Sequence, residues 1–215
     1  MAQLFPRWTN SAPKIVLAAA LVAVLVMIGA LGYYGSPEFT EVGYCPAQPI
    51  PYSHSLHAGD LVMDCRYCHW AVEFSDHANV PSTQTCMNCH QLILTSSERL
   101  MRLKESWSTD MPLRWVRVHK LPDYTYFEHA AHLAAGVGCS SCHGNVAQMI
   151  EVMQVEPLSM GWCLECHRAP DDHLRPRDQV ILMEWSPGPA HDEFLSLWKR
   201  ENTINPPVDC SGCHR

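Results

Sequence analysis

Hydrophobic positions fall into two unlike regimes along the chain. From Ile15 to Tyr34 the sequence reads IVLAAALVAVLVMIGALGYY without a single charge, and about 20 apolar residues are what an α-helix needs to cross a bilayer core. The run predicts a membrane-spanning helix. It is longer than the ~7–15-residue apolar region of a cleaved signal peptide and no A-x-A site follows it, so it reads as an uncleaved signal anchor. Arg7 and Lys14 precede the run while Glu38 and Glu41 follow it. The positive-inside rule then keeps the N-terminus cytoplasmic and puts the rest of a single-pass protein of the inner (cytoplasmic) membrane in the periplasm.

Beyond the run neither a long helical period nor a strand alternation persists, and 16 Pro and 11 Gly break the chain into short segments. Thr95 to Glu98 has the form of a capping box and predicts a helix over Arg99 to Lys104. Pro187-Gly188-Pro189 releases a second helix over His191 to Arg200. Leu113 to Val118 reads as a short strand.

What recurs is an order of residues rather than a secondary-structure period. An aromatic residue, two His three positions apart and two Cys-x-x-Cys-His triplets occur from Tyr52 to His90, with His54 and His57, and again from Phe127 to His167, with His129 and His132. This is the signature of an internal duplication. The expected organisation is a cytoplasmic tail (1–14), an anchor (15–34), a linker (35–51), a first two-site unit with its connection (52–126), a second two-site unit (127–180) and a C-terminal segment with a fifth site (181–215).

Eleven Cys and 13 His in 215 residues make cofactor chemistry the organising theme, and the formal net charge of -7 argues against nucleic acid as a partner. Five triplets use ten of the cysteines: Cys65, Cys68 and His69; Cys86, Cys89 and His90; Cys139, Cys142 and His143; Cys163, Cys166 and His167; Cys210, Cys213 and His214. This is the spacing of c-type haem attachment. Each cysteine forms a thioether to one porphyrin vinyl group, and the adjoining His is placed beneath the ring to ligate iron. Structural zinc sites pair Cys-x-x-Cys half-sites with no need of a His after each, and a disulfide framework has no reason to repeat the triplet. The sequence therefore predicts a multihaem cytochrome c with five covalently bound haem c: one N-terminal transmembrane helix, then a haem-organised, mostly irregular domain with short helices.

Eight histidines lie outside the triplets: His54, His57, His77, His119, His129, His132, His173 and His191. The two repeated pairs are the candidate distal ligands, which leaves one iron to be served by His119, by His77 or by a methionine such as Met149. A Met ligand would raise that haem's potential. Met149 and Met153 follow the third triplet and Met160 precedes the fourth, places where a Met more often packs against a porphyrin face than ligates. Cys45 is the odd cysteine and reads as a buried free thiol.

Several segments carry a family resemblance: Gln48-Pro49-Ile50, Tyr52 to Gly59, Asp64 to His69, Phe127 to His132 and Leu158 to Arg168. Together they resemble the pentahaem cytochrome subunit of bacterial alternative complex III. A haem subunit of menaquinol reductase complexes shares some of these motifs. The resemblance implies an electron-transfer subunit, without enzymatic activity of its own, in a quinol-oxidising respiratory assembly. Its implied partners are a polytopic quinol-binding membrane subunit, an iron-sulfur protein subunit, other c-type cytochrome subunits, and a periplasmic acceptor or terminal oxidase. Two other classes remain open from the residues alone. One is a standalone membrane-anchored quinol dehydrogenase; the other is a multihaem reductase, which needs a haem with an open distal position.

Overall fold

A computed structural model describes residues 4–214, and the chain divides into two parts between Glu41 and Val42. In the first part, helix α1 runs Ala12–Tyr34 for 23 residues. It begins three residues before the uncharged run because Pro13 is tolerated in a first helical turn. At 1.5 Å per residue it reaches about 35 Å, enough for a membrane core. Its length and composition make it a candidate membrane span, and none of its residues is buried. Tyr33, Tyr34 and Phe39 cluster at its C-terminal end with ring centres 4.7–5.6 Å apart, the kind of aromatic group that sits at a membrane–water boundary.

The second part is built of short helices joined by irregular segments: α2 (Cys65–Cys68), α3 (Thr83–His90), α4 (Met101–Thr109), α5 (His129–Ala135), α6 (Ser140–His143), α7 (Met160–Arg168), α8 (His191–Asn202) and α9 (Cys210–Cys213). Among the described residues there is no strand, only the isolated bridges Thr125–His214 and Val137–Leu174. The strand expected over Leu113 to Val118 is absent for a visible reason. The side-chain amide of Gln48 donates to the Val116 carbonyl at 3.0 Å and accepts from the Val116 N–H at 3.0 Å, so a side chain takes the place of a partner strand. The expected helix after Thr95 exists but starts later, as a 3-10 turn Glu98–Leu100 leading into α4. Ser97 makes no side-chain cap there; the Thr95 carbonyl instead accepts from the Lys104 ammonium. Helix α8 runs two residues past its expected end, to a left-handed Thr203 at φ 49°.

The protein's own apolar core is small. Ile50, Ala71, Met87, Leu103, Leu174, Val180 and Leu195 are its buried hydrophobic side chains, while Trp70, Phe74, Leu92, Ile93, Leu94, Met160 and Val208, all beside the Cys-x-x-Cys-His turns, are exposed. One buried centre joins α3 to α4 through Leu103, Met87 and a 2.7 Å hydrogen bond between the Thr83 and Ser106 hydroxyls. A second knits the strap 173–182 to the turn before α6: the Arg175 N–H donates to the Gly136 carbonyl at 2.8 Å and the Cys139 N–H to the Val180 carbonyl at 2.9 Å. Gly136 has φ 91°, and a Cβ there would lie 2.4 Å from the Arg175 carbonyl oxygen. Only glycine fits that approach.

Candidate haem-binding sites

Each Cys-x-x-Cys pair lies on a helical turn, which brings residues i and i+3 to one face. The N–H of the following His closes the turn on the first Cys carbonyl at 2.9 Å for His69, 3.0 Å for His143 and 2.9 Å for His214. Local sequence starts these turns: Asp64, Ser159 and Asp209 cap α2, α7 and α9 through their side chains. All eleven cysteines are free of disulfides, and among the described residues no three His, Cys, Asp or Glu side chains converge on a bare metal position.

Six imidazoles are oriented in the same way, with Nδ1 donating to a backbone carbonyl. His57 donates to Ser53 at 2.8 Å, His69 to Asn79 at 2.7 Å and His90 to Ile93 at 3.2 Å. His129 donates to Asp76 at 2.6 Å, His132 to Glu128 at 2.7 Å and His167 to Pro207 at 2.7 Å. A proton fixed on Nδ1 leaves Nε2 as the lone-pair nitrogen, which is how proteins present a metal-ligating His.

The pairing geometry repeats from one copy of the duplicated unit to the other. Tyr52 stacks on His57 at 4.4 Å and meets His54 edge-on at 4.8 Å; Phe127 stacks on His132 at 4.8 Å and meets His129 edge-on at 4.7 Å. His57 stands 6.3 Å from His90 between ring centres, and His132 stands 6.2 Å from His167. A metal–imidazole bond is about 2 Å and the ring centre lies about an ångström beyond the nitrogen. Two imidazoles on opposite sides of one iron therefore have centres about 6 Å apart.

The two copies also dock reciprocally. The Ser55 N–H, one residue after His54, donates to the Met149 carbonyl at 2.9 Å, and the Ala130 N–H, one residue after His129, donates to the Ser75 carbonyl at 3.2 Å. Each acceptor lies six residues past the first triplet of the opposite copy. His54 sits at a π-turn (Ser55–Asp60) and His129 starts α5, so equivalent placements arise from different local backbones.

Burial keeps five imidazoles, those of His54, His119, His129, His132 and His143, neutral, the form that ligates iron. Burial, reinforced by the neighbouring His69 and His57, pushes His54 down to about 4. Burial, with His129 nearby, lowers His119 to about 4, and burial with several neighbouring imidazoles takes His143 to about 3. Burial likewise lowers His129 and His132.

The remaining candidates differ sharply in setting. His119 is packed 4.4 Å from His143, and its Nε2 is buried without a hydrogen-bond partner. His129 and His143 stand 6.4 Å apart with rings nearly parallel. His77 is 72% exposed and faces Asp76. His191 is engaged through Nε2 with the Asp171 carbonyl between Trp185 and Phe194. Met149 packs its methyl over Gly144, while Met153 and Met160 are exposed. His214 lies 5.8 Å from Tyr124. Cys45 is exposed rather than buried, its Sγ 3.9 Å from a Glu151 carboxylate oxygen, because the segment around it runs along the surface. The carbonyls of Asn79, Ile93 and Pro207 that orient the imidazoles of His69, His90 and His167 carry no side-chain signal, so no sequence pattern marks them.

These donors fit haem on two counts: an orphaned buried Nε2 at His119, and imidazole pairs at the separation a shared iron demands. Residues 125–215 match the family model described as cytochrome c7 and related cytochrome c. The chain carries a multihaem cytochrome c domain. A curated relative of this cytochrome is the multiheme cytochrome c subunit of a menaquinone reductase from Nitratidesulfovibrio vulgaris (strain Hildenborough), 33% identical over 127 residues. The match covers 59% of this chain and 59% of the relative, so the cytochrome spans less than two thirds of the relative's length. Electron transfer through covalent c-type haem follows from the class.

Proposed function

We propose that this cytochrome is the electron-relay subunit of a membrane quinol:acceptor oxidoreductase complex of the alternative complex III kind, anchored by α1 with its haem domain periplasmic. Five haem c groups are held by Cys65/Cys68, Cys86/Cys89, Cys139/Cys142, Cys163/Cys166 and Cys210/Cys213, with His69, His90, His143, His167 and His214 as proximal ligands. His57 serves the iron of His90 and His132 that of His167; His54, His129 and His119 complete the distal set, leaving His77 and Met149 outside it.

The observation that carries the reading is the repeated imidazole pair at 6.3 and 6.2 Å, since irons with both axial positions filled pass electrons and bind no substrate. The haems supply one-electron redox capacity; the chain's own residues fix ligand tautomers, exclude water and set the spacing. Its partners are a polytopic quinol-binding subunit, an iron-sulfur protein, other c-type cytochromes and a periplasmic acceptor or terminal oxidase. A quinol site needs a proton acceptor against the quinol hydroxyls, and the aliphatic face of α1 supplies none.

The test is reduction by quinol, followed at the haem bands. The assembled complex should be reduced rapidly, whereas the isolated chain should respond to dithionite and stay oxidised with quinol. Steady quinol turnover by the single chain would make it a standalone dehydrogenase. The menaquinone reductase relative favours one second reading, in which the same wire runs toward quinone. A complex that reduces quinone from a periplasmic donor and fails to oxidise quinol would establish it.

A further inference from the structure

Arg175 is the one buried charged side chain among the described residues, at 4% exposure. Its guanidinium donates to the Leu182 carbonyl at 2.9 Å and to the Ser140 hydroxyl at 3.4 Å, and lies 4.5 Å from the Trp185 ring centre. It is pressed onto Gly138, where a Cβ would fall 2.0 Å from Cζ. Its Nε is buried with no partner. Among the described residues no carboxylate stands within ion-pair distance of it.

Gly138 and Ser140 flank Cys139, the first cysteine of the third triplet. A full positive charge, buried and with no side-chain carboxylate in ion-pair range among the described residues, is thus fixed against the turn that carries one attachment site. Burying an uncompensated cation is unfavourable, and an arginine does not shed its proton to escape. Trp185 and two neutral acceptors offset only part of that cost.

We propose that Arg175 sets the reduction potential of the haem attached at Cys139 and Cys142, holding it above that of the other haems in equivalent surroundings. The inference rests on the haem reading of the triplets. When one electron passes to that site from a neighbouring ferrous haem of the same chain, the donor iron becomes ferric and the acceptor ferrous, with no bond made or broken and no proton moved. Negative charge grows by one unit beside Arg175, and in a buried setting the attraction is weakly screened. Arg175 is a positioning residue: it touches the attachment turn and acts through its field.

The guanidinium also clamps the strap 173–182 to that turn, so the test has to separate charge from clamp. Redox titration of the full-length mature chain, followed spectroscopically, compares Arg175→Lys, Arg175→Gln and Ser140→Asp, with haem counted on each sample. Ser140→Asp leaves Arg175 in place and gives it a carboxylate, so it decides the matter if Arg175→Gln does not mature. Arg175→Gln and Ser140→Asp should lower the same single component by about a tenfold change in its reduction equilibrium, 59 mV for one electron; Arg175→Lys should stay near the parent. Unchanged components in Ser140→Asp, or equal shifts in Arg175→Lys and Arg175→Gln, overturn the inference while five haems per chain leave the haem reading standing. A mature chain with no haem on the third-triplet peptide overturns both.

Discussion

Replacing His132 with alanine probes the ligand geometry at its most regular point. The imidazole stands 6.2 Å from His167, stacks on Phe127 and is tethered by Nδ1 to the Glu128 carbonyl. Its loss removes a ring stack of about 0.5–1.5 kcal/mol and a hydrogen bond of about 1 kcal/mol, so the folded state should weaken by about 2 kcal/mol. The neighbouring His129 is held by the Asp76 carbonyl and cannot swing in. One iron of five should therefore become high-spin, while thioether attachment at Cys163 and Cys166 stays intact. Electron paramagnetic resonance and the visible spectrum should show about a fifth of the haem as high-spin, and added imidazole should return it to low-spin. His57→Ala should behave alike and the double variant should double the fraction. His77→Ala, at a side chain 72% exposed, should change nothing. A wholly low-spin spectrum in His132→Ala with every haem retained would refute the pairing.

Gly136→Ala should destabilise the chain by about 2–3 kcal/mol. The left-handed backbone costs about 1–2 kcal/mol with a Cβ, and pushing the Arg175 backbone away forfeits about 1 kcal/mol from the bond its N–H donates to the Gly136 carbonyl; an unchanged melting temperature would contradict this. Leu103→Ala, at 1% exposure, should cost about 2–5 kcal/mol, read as a lower denaturant midpoint with haem content unaffected. Alkaline carbonate should fail to extract the full-length protein from membranes, whereas a form beginning near Ser36 behind a cleavable signal should be released to the periplasm; extraction of the full-length form would remove the anchor from the account.

The parts of this cytochrome that were legible in the sequence are those whose chemistry demands a spacing. The apolar run declared α1, and the repeated triplets marked the positions at which the fold places short helical turns that bring two sulfurs to one face. The duplicated order of Tyr52, His54, His57 and of Phe127, His129, His132 reappears in the fold as ring arrangements that agree within half an ångström. What escaped was decided by contacts between distant segments. Gln48 pairs with Val116 in place of a strand, and Thr95 receives Lys104 rather than capping α4. Cys45, expected inside, lies on the surface because too little protein packs over its segment. Arg175 and the carbonyls that steer His69, His90 and His167 are invisible in the sequence, since a backbone oxygen has no letter and a buried arginine looks like any other.

The central claim is five covalent haems on this one chain, and counting thiols tests it directly. The chain has eleven cysteines, and attachment at all five triplets consumes ten of them. Mature protein, denatured without reductant and titrated with a maleimide, should take up one equivalent, with the label on the peptide that contains Cys45 and five haems per chain by pyridine haemochrome. Three or more reactive thiols in fully matured protein, with a correspondingly smaller haem count, would contradict it.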